Sequence, residues 1–250
     1  MTALDPAPYI IGFGLVLTRV AAYVTASPVF VSERVLSTVR ALLVALIAAS
    51  LYSAHPVTVA PEHLVVALVV EALLGAAFGL CTRMVAIGIH FAGEMIDTNI
   101  GFGFARIMNP MLPEETGPIM NLSQMLSSLI FFLVGGQHFV ILGLSRSFEI
   151  FPAGHAGFRH GWVSKLVEQF ADLMACGVML AMPVMLALIA TQAGLALLSR
   201  VAPQMNVWVI GLLVTCTMGI MSLWIFTPAW VHAIASIWHA DGNGFLEVSL

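Results

Sequence analysis

The sequence predicts an all-α integral membrane protein built from helical hairpins, and three observations support this fold class. Hydrophobic residues make up 60% of the chain and charged residues only 9%, whereas about a quarter of a soluble domain is charged. The mean hydropathy is +1.00. Long apolar runs follow one another through positions 9–238, and about 20 apolar residues cross a bilayer as a helix. The chain could therefore hold roughly six or seven such spans, which leaves no room for a separate soluble domain.

The charge and cysteine content narrow the function classes. The net charge of −4 is spread thinly along the chain, which argues against nucleic acid as a partner. Cys81, Cys176 and Cys216 lie inside apolar runs without paired spacing, so we interpret them as small core residues and not as disulfides or metal ligands. The N-terminal segment before Tyr9 has no basic stretch, so no cleavable signal peptide is expected.

The first apolar run, 9–30, carries Arg19 near its middle. An Arg at the centre of a membrane helix costs about 2.5–3.5 kcal/mol on insertion scales. Two alternatives follow. Either its head group snorkels to the membrane surface or lies where the helix does not truly span, or it forms a salt bridge with an acidic residue of a neighbouring helix or partner. A polar connector, 31–40, leads to a second run, 41–54, which is expected to stop before Pro56.

The third run, 62–81, carries Glu71 at its centre. A carboxylate inside a membrane segment is a functional candidate by default, and its alternative is a buried ion pair with Arg19 or Arg83. We favour the ion pair, because one isolated carboxylate defines no proton relay. In the segment Gly75-Ala-Ala-Phe-Gly79, the two glycines occupy positions i and i+4 of a helix. Small residues at this spacing predict a helix face that packs closely on a neighbour.

The fourth run, 84–104, begins as a helix with a polar face. His90, Glu94 and Asp97 are spaced at i, i+4 and i+7, so they share one face, which should contact protein or water and not lipid. Their spacing resembles that of a metal site, but a His-Glu-x-x-His zinc motif needs a second histidine. We therefore favour a packed polar face over a metal site. Glycines from Gly101 onward lower the helix propensity and predict where the helix ends or bends.

An irregular loop follows this helix. Pro110, Pro113 and Pro118 lack the N–H donor of other residues, so the chain cannot continue as an unbroken helix. Irregular backbone at membrane depth persists only where it is buried in protein or lines a cavity. A polar helix that leads into such a loop indicates a pore or gate element. The methionines around it provide either ordinary core filling or, with Phe102 and Phe104, a deformable seal around a conduit; they are Met95, Met108, Met111, Met120 and Met125.

The fifth run, 118–144, is interrupted at Gly135-Gly136. This pair predicts two shorter helices that meet at a glycine hinge. A loop, 145–161, is expected to follow. The next run, 162–200, has an amphipathic start and is too long for one simple span, and Pro183 is expected to kink its apolar part.

The last run, 207–238, carries Pro228 near its middle. The segment 201–206 is the tight connector between this run and the preceding one. The two runs together predict one long helical hairpin with a proline in each arm. The segment 241–250 is interpreted as a short polar tail.

The sequence lacks the motifs of common enzymes. Ser123, Ser127 and Ser128 share helix faces, but no Ser–His pair or Gly-x-Ser-x-Gly elbow accompanies them. No phosphate-binding glycine loop of the Walker or dinucleotide kind occurs. We therefore expect neither an enzymatic activity nor a cofactor.

A resemblance to a known family appears in the connector between the last two runs. This connector reads Arg200-Val-Ala-Pro203-Gln204-Met205-Asn206-Val207 and resembles the corresponding turn of the FliR family. That family belongs to the flagellar export gate and has a counterpart in injectisome type III secretion. The Glu94-x-x-Asp97 face, the segment Gly101-Phe-Gly-Phe104 and the proline-rich loop after it are also similar to the family, as is the arrangement of apolar runs along the chain.

The resemblance implies a subunit of a protein-export channel. Members of the family sit as a single subunit in a helical complex with FliP and FliQ, with FlhB associated and FlhA contributing the surrounding apparatus. Such a gate would pass unfolded flagellar proteins across the bacterial inner membrane at the flagellar basal body. The chain itself would combine a FliP-like part, 1–161, with a FliQ-like kinked hairpin, 162–240, and the tail 241–250.

The resemblance also implies roles for individual residues. The loop 106–117 matches the position of the family's plug, and its candidate residues are Arg106, Met108, Pro110, Met111, Pro113 and Gly117. Lumen or gasket candidates are Phe102, Phe104 and Met120. Because the family's gate lies largely above the membrane plane, contacts between subunits are expected for Arg19, Glu71, Glu94 and Asp97. A structural hairpin turn is expected for Arg200, Pro203, Gln204, Met205 and Asn206.

Two functional alternatives stay open beside the flagellar export channel. A small ion-coupled transporter could use Glu71, Glu94 and Asp97 as a proton or cation site, but such transporters usually contain an inverted repeat, and no convincing repeat is visible in the sequence. The other alternative is an injectisome subunit in place of a flagellar one.

Overall fold

A computed structural model describes residues 7–27, 36–54, 64–103, 117–154, 162–202, 204 and 206–248. Within these ranges all regular secondary structure is helical and no strand occurs, which confirms the predicted all-α class. In chain order the helices are α1 (Ala7–Ala26), α2 (Ser37–Ala54), α3 (Leu64–Ile100), α4 (Pro118–Leu133), α5 (Gly136–Ile150), α6 (Trp162–Val201) and α7 (Val207–Val248).

The helix α3 is longer than the sequence suggested. The predicted third and fourth runs form one unbroken helix of 37 residues, so the expected break near Arg83 was wrong. The residues at this point contain neither proline nor glycine and fit a helix. Thr82 is buried, with its hydroxyl 3.1 Å from the Tyr23 hydroxyl, whereas Arg83 is exposed. The two polar residues therefore point in different directions without interrupting the backbone.

Other element boundaries follow the prediction more closely. The expected glycine break separates α4 from α5, and Gly135 has a φ of 79°, which a glycine adopts without strain. The helix α5 continues to Ile150, beyond the predicted loop start. Pro183 and Pro228 lie inside α6 and α7 as expected, and α7 continues into the segment that we interpreted as a tail.

The described helices fit a multi-pass membrane protein. In the described part of the chain, four helices are long and apolar enough to cross a membrane, or five spans if α4 and α5 together form one. Within the described residues this is fewer than the six or seven spans expected from the sequence, for two reasons. The helix α3 combines two predicted runs, and the apolar part of α2, Ser37–Ser53, is shorter than the other candidate spans.

The chain divides into two compact units. Unit 1 comprises Met1–Val85, Gly135–Gln169 and His239–Leu250. Close contact between α1 and α3 in this unit depends on the small residues predicted to pack. A Cβ on Gly75 would overlap the backbone oxygen of Arg19, and a Cβ on Gly79 would lie 2.6 Å from the backbone oxygen of Tyr23. The predicted close-packing face of α3 is therefore confirmed.

Unit 2 comprises Ala86–Val134 and Phe170–Trp238. Its helices α6 and α7 run antiparallel, as predicted for the hairpin. Trp230 Nε1 donates a hydrogen bond of 2.7 Å to the Leu180 oxygen, and a Cβ on Gly219 would lie 3.5 Å from Leu188. From Leu180 to Leu188 the chain runs forward along α6, whereas their partners Trp230 and Gly219 come in the reverse order along α7, so the two helices are antiparallel. The second part of α3 packs on α6 through Gly88, whose Cβ would lie 2.7 Å from the Leu173 oxygen.

Candidate functional site

The first polar site is a buried ion pair in unit 1. Arg19 Nε lies 2.5 Å from Glu71 Oε2, and both side chains are 0% exposed. The sequence predicted an ion pair for Glu71 with Arg19 or Arg83; the structure identifies Arg19 as the partner and places Arg83 on the surface. The snorkelling alternative for Arg19 is therefore excluded, because its guanidinium lies inside the unit.

The remaining donors of Arg19 are also bonded. Nη1 donates to the Ser147 oxygen at 3.0 Å and to the Ser147 hydroxyl at 3.2 Å, and Nη2 donates to the Phe151 oxygen at 2.9 Å. The guanidinium carbon also lies 4.0 Å from the centre of the Phe148 ring, which is a cation–π distance. The planar guanidinium thus uses its several donors at fixed angles, which a lysine could not reproduce.

Glu71 is held from a second direction. Its Oε1 accepts a hydrogen bond of 3.0 Å from the Gly154 backbone N–H, while Oε2 faces Arg19. The resulting Arg19 network joins α1, α3, α5 and the turn that follows α5. A buried ion pair of this kind is tolerated only when its remaining polar atoms are also satisfied. The contacts with other subunits implied for these two residues stay a prediction, and the contacts described here lie within the chain.

The second polar site, in unit 2, lies where α4 begins. Asp97 Oδ1 accepts a hydrogen bond of 3.0 Å from the Ile119 N–H, and Oδ2 accepts one of 2.7 Å from the Met120 N–H. The first N–H groups of a helix have no partner inside that helix, and the N-cap residue Gly117 has no side chain to bond them. Asp97, from the end of α3, therefore caps α4, and its negative charge lies at the positive end of the helix dipole.

The spacing in the sequence predicted only a polar face for Asp97 and not this capping role. A usable signal was present, because α4 begins with Gly117-Pro118 and so needs an acceptor from elsewhere. Gly117 is also required by space, since a Cβ at this position would overlap the Asp97 carboxylate. Asp97 is only 5% exposed, so it is committed to this contact.

The end of α3 is held by the hairpin of unit 2. Gln192 Nε2 donates to the Asn99 backbone oxygen at 3.3 Å. The Thr215 hydroxyl lies 3.3 Å from the Ile100 backbone oxygen, and it also lies 2.9 Å from the Gly211 oxygen of its own helix. The Asn99 and Ile100 carbonyls lie in the last turn of α3, where no later N–H is available. Gly101 has a φ of 102°, and this left-handed conformation ends the helix where the sequence predicted an end or bend. We refer to these contacts and the Asp97 cap together as the loop stem.

The predicted plug falls mostly outside the described residues. Gly117 lies at the loop stem, whereas the candidates outside the described ranges are Phe104, Arg106, Met108, Pro110, Met111 and Pro113. Phe102 and Met120, the described gasket candidates, are both half-buried. In the hairpin turn, Pro203 and Met205 also lie outside the described residues. The other turn residues are exposed: Arg200, Gln204 and Asn206.

The three residues of the predicted polar face have different surroundings. Asp97 is buried, His90 is half-buried and Glu94 is exposed. Among the residues that the structure describes, no group of three or more His, Cys, Asp or Glu side chains could hold a metal ion.

Comparisons with known proteins connect this chain to protein export. Residues 10–240 match the family described as Bacterial export proteins, family 1. The chain is 28% identical over 214 residues to the flagellar biosynthetic protein FliR of Pectobacterium carotovorum subsp. carotovorum, an alignment that covers 84% of this chain and 82% of that protein.

Two further relatives extend the comparison. The flagellar biosynthetic protein FliR of Aquifex aeolicus is 30% identical over 158 residues, which cover 63% of this chain and 61% of that protein. The surface presentation of antigens protein SpaR of Shigella sonnei is 25% identical over 201 residues, which cover 78% and 77%. The family match spans every residue of the Arg19 network and of the loop stem.

Proposed function

This chain belongs to the FliR family of type III export proteins and is a component of a type III secretion export apparatus, and we propose that it is the FliR-type subunit of a flagellar export gate. The observation that carries the proposal is the family match over residues 10–240, together with long alignments to proteins named for flagellar biosynthesis. In this role the chain forms, with FliP-like and FliQ-like subunits, the channel through which unfolded flagellar proteins leave the cytoplasm.

The proposal extends to the location and the partners of the chain. Several helices of membrane-spanning length are compatible with a position in the bacterial inner membrane at the flagellar basal body. FlhA-type and FlhB-type proteins are the further partners that membership of the family suggests. We also propose that 1–161 is the FliP-like part and 162–240 the FliQ-like hairpin of the subunit.

The ion-coupled transporter receives no support from the described carboxylates. Glu71 bonds to Arg19 and to a backbone N–H, and Asp97 bonds to two backbone N–H groups. A transported ion would have to displace these bonds, which are fixed by the packing of the helices. Glu94 is exposed and does not define an ion site by itself.

Deletion of the gene should abolish export of flagellar proteins, and expression of this chain should restore it. The measurement is the amount of hook and filament protein outside the cells, with total expression of the same proteins as the control. If deletion left flagellar export unchanged and stopped secretion through an injectisome, the flagellar assignment would be wrong, although membership of a type III apparatus would stand.

We propose further that the loop 106–117 closes the resting channel. The support is its composition: Pro110 and Pro113 prevent a continuous helix, and methionines near them can pack against irregular surfaces. Removing 108–115 should leave the complex assembled but permeable to small ions, measured as membrane conductance or as sensitivity of growth to small solutes. A variant with Glu114→Gln and Glu115→Gln keeps the loop and serves as the matched control. An assembled complex that lacks the loop and does not leak would make it a simple connector.

A further inference from the structure

One flank of the α3–α4 pair in unit 2 carries exposed polar residues. On α3 these are Glu94 and Thr98, and on α4 they are Asn121, Gln124 and Ser128. Each of these polar residues comes directly after a residue that lies at the contact between the two helices or on the buried side of α4. The five preceding residues are Gly93, Asp97, Met120, Ser123 and Ser127.

Helix geometry places both sets of polar residues on the same side. One position along an α-helix is a rotation of about 100°. The two helices run antiparallel, because Gly93 lies against Ser123 while Asp97, further along α3, bonds to Met120 near the start of α4. In antiparallel neighbours, one forward step from the contact turns each helix towards the same flank. We call this flank, with its five exposed polar residues, the Glu94 face.

Lipid is a poor neighbour for the Glu94 face. A carboxylate facing the bilayer centre costs about 2.5–3.5 kcal/mol on insertion scales, and intramembrane charges almost always face protein or water. Glu94 forms no ion pair with any residue in the described ranges. The acid beside it, Asp97, is already occupied by the N-terminus of α4.

Water alone is also a poor neighbour for this part of the molecule. The helix α4 exposes a second, apolar stripe directly beside its polar one, with Leu122 45%, Met125 61%, Leu129 56% and Leu133 75% exposed. Lipid could cover the apolar stripe, but it could not satisfy the polar stripe beside it. A protein partner would cover both stripes at once.

We propose that the Glu94 face binds a helix of a neighbouring subunit in the export complex, and that this helix presents a lysine or arginine to Glu94. Charge complementarity selects this partner, because Glu94 is an exposed carboxylate without a cation among the described residues, and the other polar residues of the face are uncharged hydrogen-bonding groups. The inference rests on the proposed function, since it assumes an assembled complex. It also separates Glu94, which faces outward, from Asp97, which acts within the chain.

Charge reversal at Glu94 tests the inference. In cells that also express the FliP-like and FliQ-like subunits, Glu94→Lys should lower the yield of the purified complex by about tenfold or more, because like charges then meet in the interface. Glu94→Gln keeps the hydrogen-bonding shape and should lose much less. Asp172→Lys, the same reversal at an exposed carboxylate on α6, is the matched control and should assemble normally.

A photo-crosslinking amino acid at Gln124 tests the same face without changing its charge. We expect crosslinks to a neighbouring subunit, and the crosslinked peptide should contain a lysine or arginine. Replacing that lysine or arginine with glutamate should restore assembly of the Glu94→Lys variant. Crosslinks from Gln124 to an exported chain alone, or normal assembly of Glu94→Lys, would overturn the inference. In both cases the proposed function stands as long as the unmodified chain purifies with its partners and supports export; if it does neither, the proposed function fails as well.

Discussion

Replacing Arg19 with leucine should lower the free energy of unfolding by about 3–5 kcal/mol, the cost of removing one partner of a buried ion pair. The variant would leave the Glu71 side chain 0% exposed and without its ion-pair partner, with the Gly154 N–H as its remaining described partner. The Phe151 oxygen would lose a donor at the same time. The measurement is thermal unfolding of the detergent-solubilised protein, and the quantity recorded is the fraction of protein that stays monodisperse after heating.

Two further variants separate the ion pair from a general effect of charge. Arg83→Leu makes the same substitution at an exposed arginine and should change stability by no more than about 0.5 kcal/mol. The double variant Arg19→Leu with Glu71→Leu removes both charges and should be more stable than Arg19→Leu alone, because no buried charge is left unpaired. Equal losses for Arg19→Leu and Arg83→Leu would contradict the buried network.

Replacing Asp97 with asparagine should destabilise the protein by about 1–3 kcal/mol, the range for a buried hydrogen-bonding group that loses its partner. The carboxylate accepts from two N–H groups, at Ile119 and Met120. Asparagine has one acceptor oxygen and would turn its own N–H₂ group towards one of these donors. The first turn of α4 would therefore lose one hydrogen bond and the favourable charge at its N-terminus.

The matched control for this prediction is Glu94→Gln, which removes a carboxylate from the exposed side of the same helix. Its stability should stay within about 0.5 kcal/mol of the unmodified protein. Protection of the α4 amides from hydrogen exchange should fall in Asp97→Asn and stay unchanged in Glu94→Gln. Export should persist in both variants wherever the complex assembles. Loss of export from an intact Glu94→Gln complex would favour ion coupling instead.

The membrane class and the Arg19–Glu71 pair were predictable because they follow from the cost of charge in an apolar surrounding. Two opposite charges in separate apolar runs should form an ion pair, and Arg19 Nε lies 2.5 Å from Glu71 Oε2. Arg83 stayed open as a partner because its exposed charge was interpreted as part of a connector between two helices, which also produced the false break at this point. In the single helix α3, Arg83 lies about 18 Å beyond Glu71 along the axis, so the two side chains cannot pair.

Gly117-Pro118 signals that α4 needs an acceptor from elsewhere, but which residue supplies it could not be predicted from local pattern. Asp97 and the N–H groups that it caps are far apart in sequence and meet only because α3 and α4 pack closely at Gly93. The periodicity of His90, Glu94 and Asp97 correctly placed them on one helix, but it did not separate the buried Asp97 from the exposed Glu94. That difference arises from tertiary packing, which single-helix geometry does not contain.

If this chain acts as one subunit of an export-gate complex, it should co-purify with the other subunits of that complex. The chain, carrying an affinity tag, would be expressed with the FliP-like and FliQ-like proteins of its own organism, and the purified material analysed by native mass spectrometry. We expect one complex that contains all three proteins and persists through size-exclusion chromatography. Recovery of this chain alone, while the other two proteins assemble without it, would contradict this role of the chain.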